Sequence, residues 1–270
     1  MVSGSGCLEG KVAVITGGGT GLGRAMALAL AEEGANIVIS GRRVNLLEET
    51  CVEARANGIK AQYIPADVTD SHQVNDMIRQ TLDDLGRIDI LINNAGIVRE
   101  EETKRIWDIT DEEWRLGIDT NLSGAFYCCR AVSKHFIENK RGKIINVSSG
   151  GGLRAMRDDF MYGCAKGGVI QLTRALAITW AQSNIQVNCI IPGFVNTGAF
   201  RSVVGSMTEK SDFIPVGRIG IPGDIGALAL FLACQASDYV TGGLFIADGG
   251  GLAGGIAPTG FAPVAFTEEA

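Results

Sequence analysis

Residues 11–23 read KVAVITGGGTGLG, and this stretch decides the fold class. Lys11–Thr16 is a short apolar, β-branched run, which predicts a buried strand. It passes directly into the glycine loop Thr16–Gly23 and then into apolar helical sequence over Gly23–Glu33. Glycines at such a junction permit a tight turn and let backbone amides at the helix start approach a pyrophosphate. The stretch therefore predicts a strand, a nucleotide-binding loop and a helix, with an ordinary glycine turn as the alternative.

The alternation of short β-rich runs and longer helical runs continues along the chain. Further strands are predicted at Asn36–Ser40, Ala61–Pro65, Ile88–Asn93, Lys143–Ser148, Ile185–Ile191 and Leu244–Ala247. Further helices are predicted at Val44–Asn57, Ser71–Leu85, Asp111–Asn139 (interrupted near Asn121), Tyr162–Gln182 and Pro222–Ala233. Apolar strands separated by helices are typical of a parallel sheet covered on both faces. We expect one doubly wound α/β domain with seven strands, which binds ligands beyond their carboxyl ends.

Length and composition exclude several classes of protein. A chain of 270 residues, 46% of them apolar and 20% charged, is globular and long enough for one large domain. Its net charge of -6, without a basic tract, argues against a nucleic-acid partner. The sequence contains neither a signal peptide nor an apolar run of membrane-spanning length, so we expect a cytoplasmic protein without a membrane partner. The seven cysteines match no metal-ligand spacing, so we expect no metal, and most cysteines are predicted to be reduced, buried thiols.

A second stretch, YGCAK at residues 162–166, carries candidate acid–base chemistry. Tyr162 and Lys166 are four residues apart at the start of a helical run, so they share one helix face. An ammonium beside a phenol favours the phenolate and lowers its pKa from about 10. Ser149, the second residue of the Ser148-Ser149 pair, offers a hydroxyl that could hold a substrate oxygen against the phenol. Tyrosine and lysine share this spacing on many helices, so the pair gains weight only from the rest of the chain.

Motifs spread over residues 8–250 resemble those of the short-chain dehydrogenase/reductase family. In chain order they are the G-x-x-x-G-x-G loop, Asn93-Asn94-Ala95-Gly96, Asn121, Ser149, Tyr162 with Lys166, and Pro192-Gly193. The resemblance implies a Rossmann-type domain over residues 1–250 and a nicotinamide-dependent oxidoreductase, commonly a homotetramer. Gly251–Ala270 departs from the family pattern. We expect this tail to dock on a neighbouring subunit, with a disordered end as the alternative.

The resemblance implies a catalytic tetrad. Ser149 and Tyr162 would hydrogen-bond the carbonyl oxygen of a small-molecule substrate, and Tyr162 would give or take the proton. Lys166 would hold the nicotinamide ribose and keep the phenol acidic, while Asn121 would anchor a water that connects Lys166 to solvent. The family's serine lies thirteen residues before the tyrosine, which selects Ser149. Ser148 is then interpreted as a strand-end hydroxyl that packs or caps.

The resemblance also implies a set of cofactor-binding residues. They lie in the glycine loop, after the second, third, fourth and sixth strands, and in the tetrad: Gly17, Thr20, Gly21, Leu22, Gly23, Arg42, Arg43, Asp67, Val68, Asn93, Ala95, Gly96, Tyr162, Lys166, Pro192, Gly193, Val195 and Thr197. Asp67 has a second interpretation, as part of the N-cap region of the following helix.

The end of the second strand favours NADP(H) over NAD(H). Ser40-Gly41-Arg42-Arg43 stands where NAD-preferring family members commonly carry an acidic residue. With no carboxylate to repel it, a 2′-phosphate could pair with Arg42 or Arg43. NAD(H) remains possible, because two solvated arginines at a strand end are the alternative.

The substrate pocket is expected to lie between residues 150–161 and 198–215. The first loop supplies the candidate substrate residues Gly150, Arg154, Met156 and Arg157. Either arginine could meet an anionic group such as a carboxylate or a phosphate, and solvated arginines are again the alternative. The chain is closest in character to 3-oxoacyl-thioester reductases, with sugar or polyol dehydrogenases and a non-catalytic dinucleotide-binding regulator as alternatives. Trp107 and Trp114 are interpreted as packing residues.

Overall fold

Seven parallel strands form one sheet in the computed structural model, which describes residues 6–97, 104–155, 159–198 and 214–253. The strands are β1 (Val12–Thr16), β2 (Asn36–Gly41), β3 (Ala61–Pro65), β4 (Ile90–Asn93), β5 (Gly142–Val147), β6 (Ile185–Pro192) and β7 (Leu244–Ala247). Their order in the sheet is β3-β2-β1-β4-β5-β6-β7. The prediction of a doubly wound, seven-stranded parallel sheet is confirmed.

The helices within the described ranges are α1 (Gly21–Glu32), α2 (Val44–Arg55), α3 (Ser71–Leu85), α4 (Asp111–Ile118), α5 (Gly124–Glu138), α6 (Phe160–Trp180) and α7 (Pro222–Ala233). Local signals explain several of their ends. The Asp70 carboxylate caps α3 by accepting the His72 N–H at 2.8 Å, and Gly86, with φ 74°, ends that helix. Among these described helices, none is long and apolar enough to cross a membrane.

The strands bury side chains on both faces of the sheet. Alternate residues Ala13 and Ile15 of β1 pack with α1 and α7, in a cluster that includes Leu30. Val12 and Val14 point the other way and pack with α3 and α5. Each fully buried aliphatic side chain of this kind contributes about 1.5–3 kcal/mol of transfer free energy. The helices therefore cover both faces, as the continuous apolar strands predict.

The winding direction of the sheet reverses at β1. This strand pairs with β2 on one side and with β4 on the other. The carboxyl ends of β1 and β4 consequently lie side by side, and the loops that follow them diverge to opposite faces. A crevice at such a reversal is where open α/β sheets bind ligands.

Trp107 and Trp114 are predicted to be packing residues, but neither side chain lies in the core of the single chain. Their exposed fractions are 73% and 40%. The Arg105 guanidinium lies 5.5 Å from the centroid of the Trp107 ring, a cation–π contact at the surface. The two indoles belong to the outer surface of the segment before α4 and of α4 itself.

Most cysteines are free thiols, as predicted, but one pair is bonded. Cys7 and Cys234 form a disulfide between the N-terminal turn and the end of α7, with their Cα atoms 6.3 Å apart. The other five are free thiols: Cys51, Cys128, Cys129 and Cys189 are buried, and Cys164 is exposed. Burial raises the pKa of Cys51 and of Cys189 to about 11, so these two thiols stay protonated near neutral pH.

Candidate active site

The glycine loop joins the carboxyl end of β1 to the start of α1. Gly17 has φ +66°, and a Cβ there would lie 2.9 Å from Asn94 Nδ2, so a larger residue would be strained and crowded. A Cβ on Gly23 would lie 2.2 Å from the Gly17 carbonyl oxygen, which no side chain tolerates. The N–H groups of Gly17 and Gly18 donate to the Ser40 carbonyl at 2.7 and 3.2 Å. The loop is therefore tied to β2 and cannot open without breaking these bonds.

The start of α1 fits an anionic group. Its N-cap residue, Thr20, makes no side-chain capping hydrogen bond, and the Thr20 hydroxyl instead accepts from the Arg43 guanidinium at 3.1 Å. The first backbone N–H groups of a helix lack intrahelical partners and lie at the positive end of its dipole. A Cβ on Gly21 would lie 3.1 Å from Thr197 Cβ, so the loop after β6 closes the other side. This cradle suits the pyrophosphate of a dinucleotide.

Two charged residues meet at the far end of this crevice. The Asp67 carboxylate accepts from the Thr69 N–H at 3.0 Å and from its hydroxyl at 2.8 Å, and lies 3.8 Å from Arg42 Nη1. Asp67 thus shapes the turn before α3, whereas Asp70 caps the helix. The neighbouring side chain of Val68 is buried, so at that position mainly the backbone is available to a ligand.

Asn93 and Asn94 point to different parts of the structure. The Asn93 side chain is buried and donates to Asn146 Oδ1 at 2.8 Å, which joins β4 to β5. Asn94 Nδ2 donates to the carbonyls of Thr16 and Gly17 at 3.0 and 3.3 Å. The backbone N–H of Asn94 also donates to Thr16 Oγ1 at 3.1 Å. Asn94 and Thr16 therefore hold the glycine loop, a role that their place in the sequence does not indicate.

A π-helical turn between α4 and α5 carries Asn121, and the predicted interruption of this helical region is confirmed. Asn121 Nδ2 donates to the carbonyls of Ile97 and Gly117 at 3.1 and 3.0 Å, and its Oδ1 accepts from the Ile97 N–H at 3.2 Å. A Cβ on Gly96 would lie 2.7 Å from Asn121 Oδ1 and 3.4 Å from Lys166 Nζ. The glycine lets the turn after β4 pass between these two side chains.

The start of α6 brings Tyr162 and Lys166 to the end of β5. Lys166 Nζ lies 5.6 Å from the centroid of the Tyr162 ring and donates to the Val147 carbonyl at 3.0 Å. The Ser149 hydroxyl lies close enough to the Tyr162 phenol to lower its pKa, and it accepts from the Gly151 N–H at 3.2 Å. Ser149, Tyr162 and Lys166 therefore lie close together at the end of β5.

Burial controls the protonation of this site. It lowers the pKa of Lys166 to about 8, because a buried ammonium loses its hydration. Burial also raises the pKa of the Tyr162 phenol, and the negative charge of Asp159 acts in the same direction, while the hydrogen bond with Ser149 offsets part of the effect. The net shift of the Tyr162 pKa in the chain alone is upward. That Lys166 lowers this pKa stays a prediction.

The segment after β6 runs back towards the glycine loop. Pro192 ends the strand, and the Gly193 N–H donates to the Ala247 carbonyl at 3.0 Å. A Cβ on Gly193 would lie 2.5 Å from Asp248 Cβ, so the strand ends are packed closely here. Val195 is buried and forms a short parallel bridge with Gly220.

The substrate side of the site is described in part. Arg154 is exposed, and its backbone N–H donates to the Gly150 carbonyl at 2.9 Å. A Cβ on Gly150 would lie 3.8 Å from Leu252 Cδ1, so the chain after β7 borders the loop that begins at Ser149. Met156 and Arg157, most of the second predicted pocket loop, and residues 254–270 of the tail lie outside the described residues.

Relatives of known activity match nearly the whole chain. 2-Dehydro-3-deoxy-D-gluconate 5-dehydrogenase of Escherichia coli is 39% identical over 256 residues, which cover 91% of this chain and 97% of that protein. 3-Oxoacyl-[acyl-carrier-protein] reductase of Synechocystis is 38% identical over 251 residues, which cover 90% and 97%. A subunit of (2S)-[(R)-hydroxy(phenyl)methyl]succinyl-CoA dehydrogenase of Thauera aromatica is 37% identical over 248 residues, which also cover 90% and 97%.

Solved structures and a family profile agree with these relatives. The crystal structure of levodione reductase superposes with a TM-score of 0.85 at 32% identity, covering 92% of this chain and 99% of that one. A short-chain type dehydrogenase/reductase from Mycobacterium marinum gives a TM-score of 0.84 at 35% identity, covering 90% and 96%. The family profile described as Enoyl-(Acyl carrier protein) reductase matches residues 17–251. On its fold, its site and these matches, the chain belongs to the short-chain dehydrogenase/reductase family and is an NAD(P)-dependent oxidoreductase.

Proposed function

We propose that the protein is a cytoplasmic, NADP(H)-dependent enzyme that interconverts a ketone and a secondary alcohol, with a 3-oxoacyl thioester as its type of substrate. One observation carries the chemistry: Lys166 Nζ lies 5.6 Å from the centroid of the Tyr162 ring, and the Ser149 hydroxyl is close enough to lower the pKa of the same phenol. A phenol, a hydroxyl and an ammonium close together at the carboxyl ends of the strands suit proton transfer to a carbonyl oxygen.

The two hydroxyl groups of the site would hold the substrate oxygen. Ser149 and Tyr162 donate hydrogen bonds to the carbonyl, and Tyr162 gives up its proton as the alcohol forms. Because burial raises the pKa of Tyr162, the phenol is protonated at neutral pH and ready to act as an acid. Negative charge on the oxygen meets donors that are already in place, so little reorganisation is needed. A nicotinamide held in this crevice would supply the hydride in reduction and accept it in oxidation.

Lys166 and Asn121 would restore the proton of Tyr162. Lys166, with a pKa of about 8, exchanges protons near neutral pH. In this proposal its ammonium also binds the nicotinamide ribose hydroxyls, and Asn121 anchors a water between Lys166 and solvent. The side chains of Asn121 and Lys166 both come close to Gly96, which supports a proton path that includes both.

The crevice would hold the cofactor along its length. The backbone of the glycine loop takes the pyrophosphate, Asp67 lies at the adenine, and the segment from Pro192 to Thr197 lines the nicotinamide. Arg42 and Arg43 take the 2′-phosphate of NADP(H). Two observations support this choice: the side chain of Arg42 is 65% exposed beside the crevice, and Arg43 already contacts Thr20 of the glycine loop. Michaelis constants measured with NADPH and NADH test the choice, and a clear preference for NADH would refute it.

The names of the relatives support two substrate classes. Two of them act on thioesters, an acyl-carrier-protein derivative and a CoA derivative, and a third acts on a keto sugar acid. We favour the thioester because an exposed Arg154 near Ser149 suits the phosphate of a pantetheine arm. A panel assay of NADPH oxidation with acetoacetyl thioesters, keto sugar acids and simple ketones separates the classes. If no carbonyl compound is reduced although NADPH binds tightly, the protein is a non-catalytic regulator and the proposal fails.

We propose further that the enzyme is a homotetramer. Large apolar side chains on the helices around the site remain in water in the single chain: Leu116 is 54% exposed, Phe126 44% and Ile178 83%. Their burial between subunits would be favourable. The tail, residues 251–270, would dock on a neighbouring subunit. Sedimentation velocity with the full chain and with a chain ending at residue 253 tests the tetramer and the docking of the tail. A full-length chain that sediments as a monomer would contradict the tetramer.

A further inference from the structure

The end of β5 is tied to α6 at three successive residues. Asn146 Nδ2 donates to Thr173 Oγ1 at 2.9 Å. The Val147 carbonyl accepts from Lys166 Nζ at 3.0 Å. Ser148 Oγ donates to the Lys166 carbonyl at 2.8 Å, and the exposed fraction of Ser148 is 3%. Because the serine is buried, water cannot replace this last bond if the hydroxyl is removed.

Lys166 is held at both ends by Val147, the last residue of β5, and Ser148, which follows it. Its ammonium binds the Val147 carbonyl, and its backbone carbonyl binds the Ser148 hydroxyl. Tyr162 lies one helical turn earlier, so the same bonds fix the turn that presents its ring. Ser148 is itself anchored in the sheet, since its backbone N–H donates to the Ile190 carbonyl at 2.9 Å.

The loop that begins at Ser149 meets the helix at the same place. A Cβ on Gly152 would lie 2.7 Å from the Lys166 carbonyl carbon and 2.8 Å from its oxygen. Strand, loop and helix therefore converge on one carbonyl group, and Ser148 is the side chain that binds it. From the sequence, Ser148 is predicted only to be a strand-end hydroxyl that packs or caps.

We propose that Ser148 is a positioning residue for proton transfer: its hydroxyl fixes Lys166 and Tyr162 relative to Ser149. Ser148 would act through Lys166, because its buried hydroxyl binds the Lys166 carbonyl. The inference rests on the proposed function, because proton transfer at Tyr162 is the step that the positioning would serve.

Two other titratable groups face this pair and must be kept constant in any test. Asp159, the N-cap residue of α6, raises the pKa of Tyr162. Cys189 of β6 is near Ser148, which lowers the pKa of its thiol against the larger effect of burial, and the interaction of Cys189 with Lys166 raises the pKa of the lysine. A change in the pH profile or in the phenol titration of a Ser148 variant is therefore compared only with proteins that keep both Asp159 and Cys189.

The first test is Ser148→Ala in the full-length enzyme, with Ser148→Thr as the conservative variant that keeps a hydroxyl. We expect kcat of Ser148→Ala to fall about tenfold with a smaller change in the KM for NADPH, because misplaced groups slow a positioned reaction. We also expect the pH profile of kcat to shift, since a looser helix start lets water reach Tyr162 and Lys166. Ser148→Thr should restore both the rate and the profile.

The second test does not depend on turnover. Ionisation of Tyr162 is followed by tyrosinate absorbance in an alkaline titration, as the difference from the same variant that also carries Tyr162→Phe. We expect Ser148→Ala to lower the pKa of the phenol towards its ordinary value. If the wild-type protein reduces no carbonyl compound, the proposed function fails, and this titration still decides whether Ser148 positions Tyr162.

Thr173→Val is the matched control. Thr173 is also fully buried on α6 and also bonded to the end of β5, but it lies two turns beyond Lys166. We expect it to lower the melting temperature as Ser148→Ala does, without moving the pH profile or the tyrosinate titration. The proposal is overturned if Ser148→Ala behaves like Thr173→Val, losing stability alone.

Discussion

Lys166 Nζ lies 5.6 Å from the centroid of the Tyr162 ring, one turn further along the same face of α6. Burial separates the two groups in acidity, because it lowers the pKa of Lys166 to about 8 and raises that of Tyr162. The ammonium thus loses its proton at a lower pH than the phenol. Pairs of groups whose pKa values are moved apart in this way are typical of acid–base sites.

Replacement of the phenol tests the central chemical step. Tyr162→Phe removes the proposed acid but keeps the ring that lies beside Lys166. We expect kcat to fall by about 100-fold or more, because general acid catalysis contributes factors of that size. NADPH binding, measured by the fluorescence of the cofactor, should change little. An active Tyr162→Phe enzyme would show that another group donates the proton.

The lowered pKa of Lys166 predicts how the free energy of unfolding depends on pH. Its folded pKa of about 8 lies below the ordinary lysine value near 10.4, so between these values the unfolded chain binds more protons. The free energy of unfolding contributed by this residue therefore rises as the pH increases from about 8 to about 10. Below that window the cost of burying the ammonium is fully present.

Lys166→Met isolates this effect, because it removes the titrating group and keeps an unbranched side chain. Urea unfolding of wild type and variant should differ most at about pH 7, where the variant gains, and the difference should shrink towards pH ~10. Two stability curves that stay parallel over this range would show that the ammonium is solvated.

The two arginines after β2 should both favour NADPH over NADH. Arg43 contacts Thr20 of the glycine loop, whereas Arg42 lies 3.8 Å from Asp67. We expect either change to Ala to raise the KM for NADPH about tenfold, because an arginine–phosphate hydrogen bond is lost, with less effect on NADH. Each change should also alter the ratio of the KM for NADPH to the KM for NADH more than it alters kcat. Equal effects on both cofactors would mean that neither arginine binds the 2′-phosphate.

The sequence predicted those parts of the site that depend on local spacing. The Tyr162–Lys166 face, the interruption at Asn121 and the glycine loop each follow from residues close together in the chain. The bonds of Asn94 to the carbonyls of Thr16 and Gly17 were missed, because they depend on the pairing of β1 with β4. The raised pKa of Tyr162 was missed for a related reason, since burial by distant segments decides its sign.

The disulfide between Cys7 and Cys234 was not predictable from spacing either, because it depends on where the N-terminal turn packs. Leu8 is buried in the core beside α1, and its N–H donates to the Glu33 carbonyl at 3.0 Å, which carries Cys7 to the end of α7. The sequence separation of the two cysteines is 227 residues, so the bond closes nearly the whole domain into one loop. Closing a long loop restricts the unfolded chain.

Cys7→Ser should therefore lower the free energy of unfolding by about 2 kcal/mol or more, which corresponds to a melting temperature lower by about 4–8 °C. Adding a reductant should produce the same change in the wild type and none in Cys7→Ser. Cys164→Ser is the control, because Cys164 is exposed but free. Turnover should stay unchanged, because the bond lies at the C-terminal end of α7 and neither cysteine belongs to the candidate active site. If the intact mass of the oxidised protein equals that of the reduced protein, the bond does not form in solution and the stability difference should vanish with it.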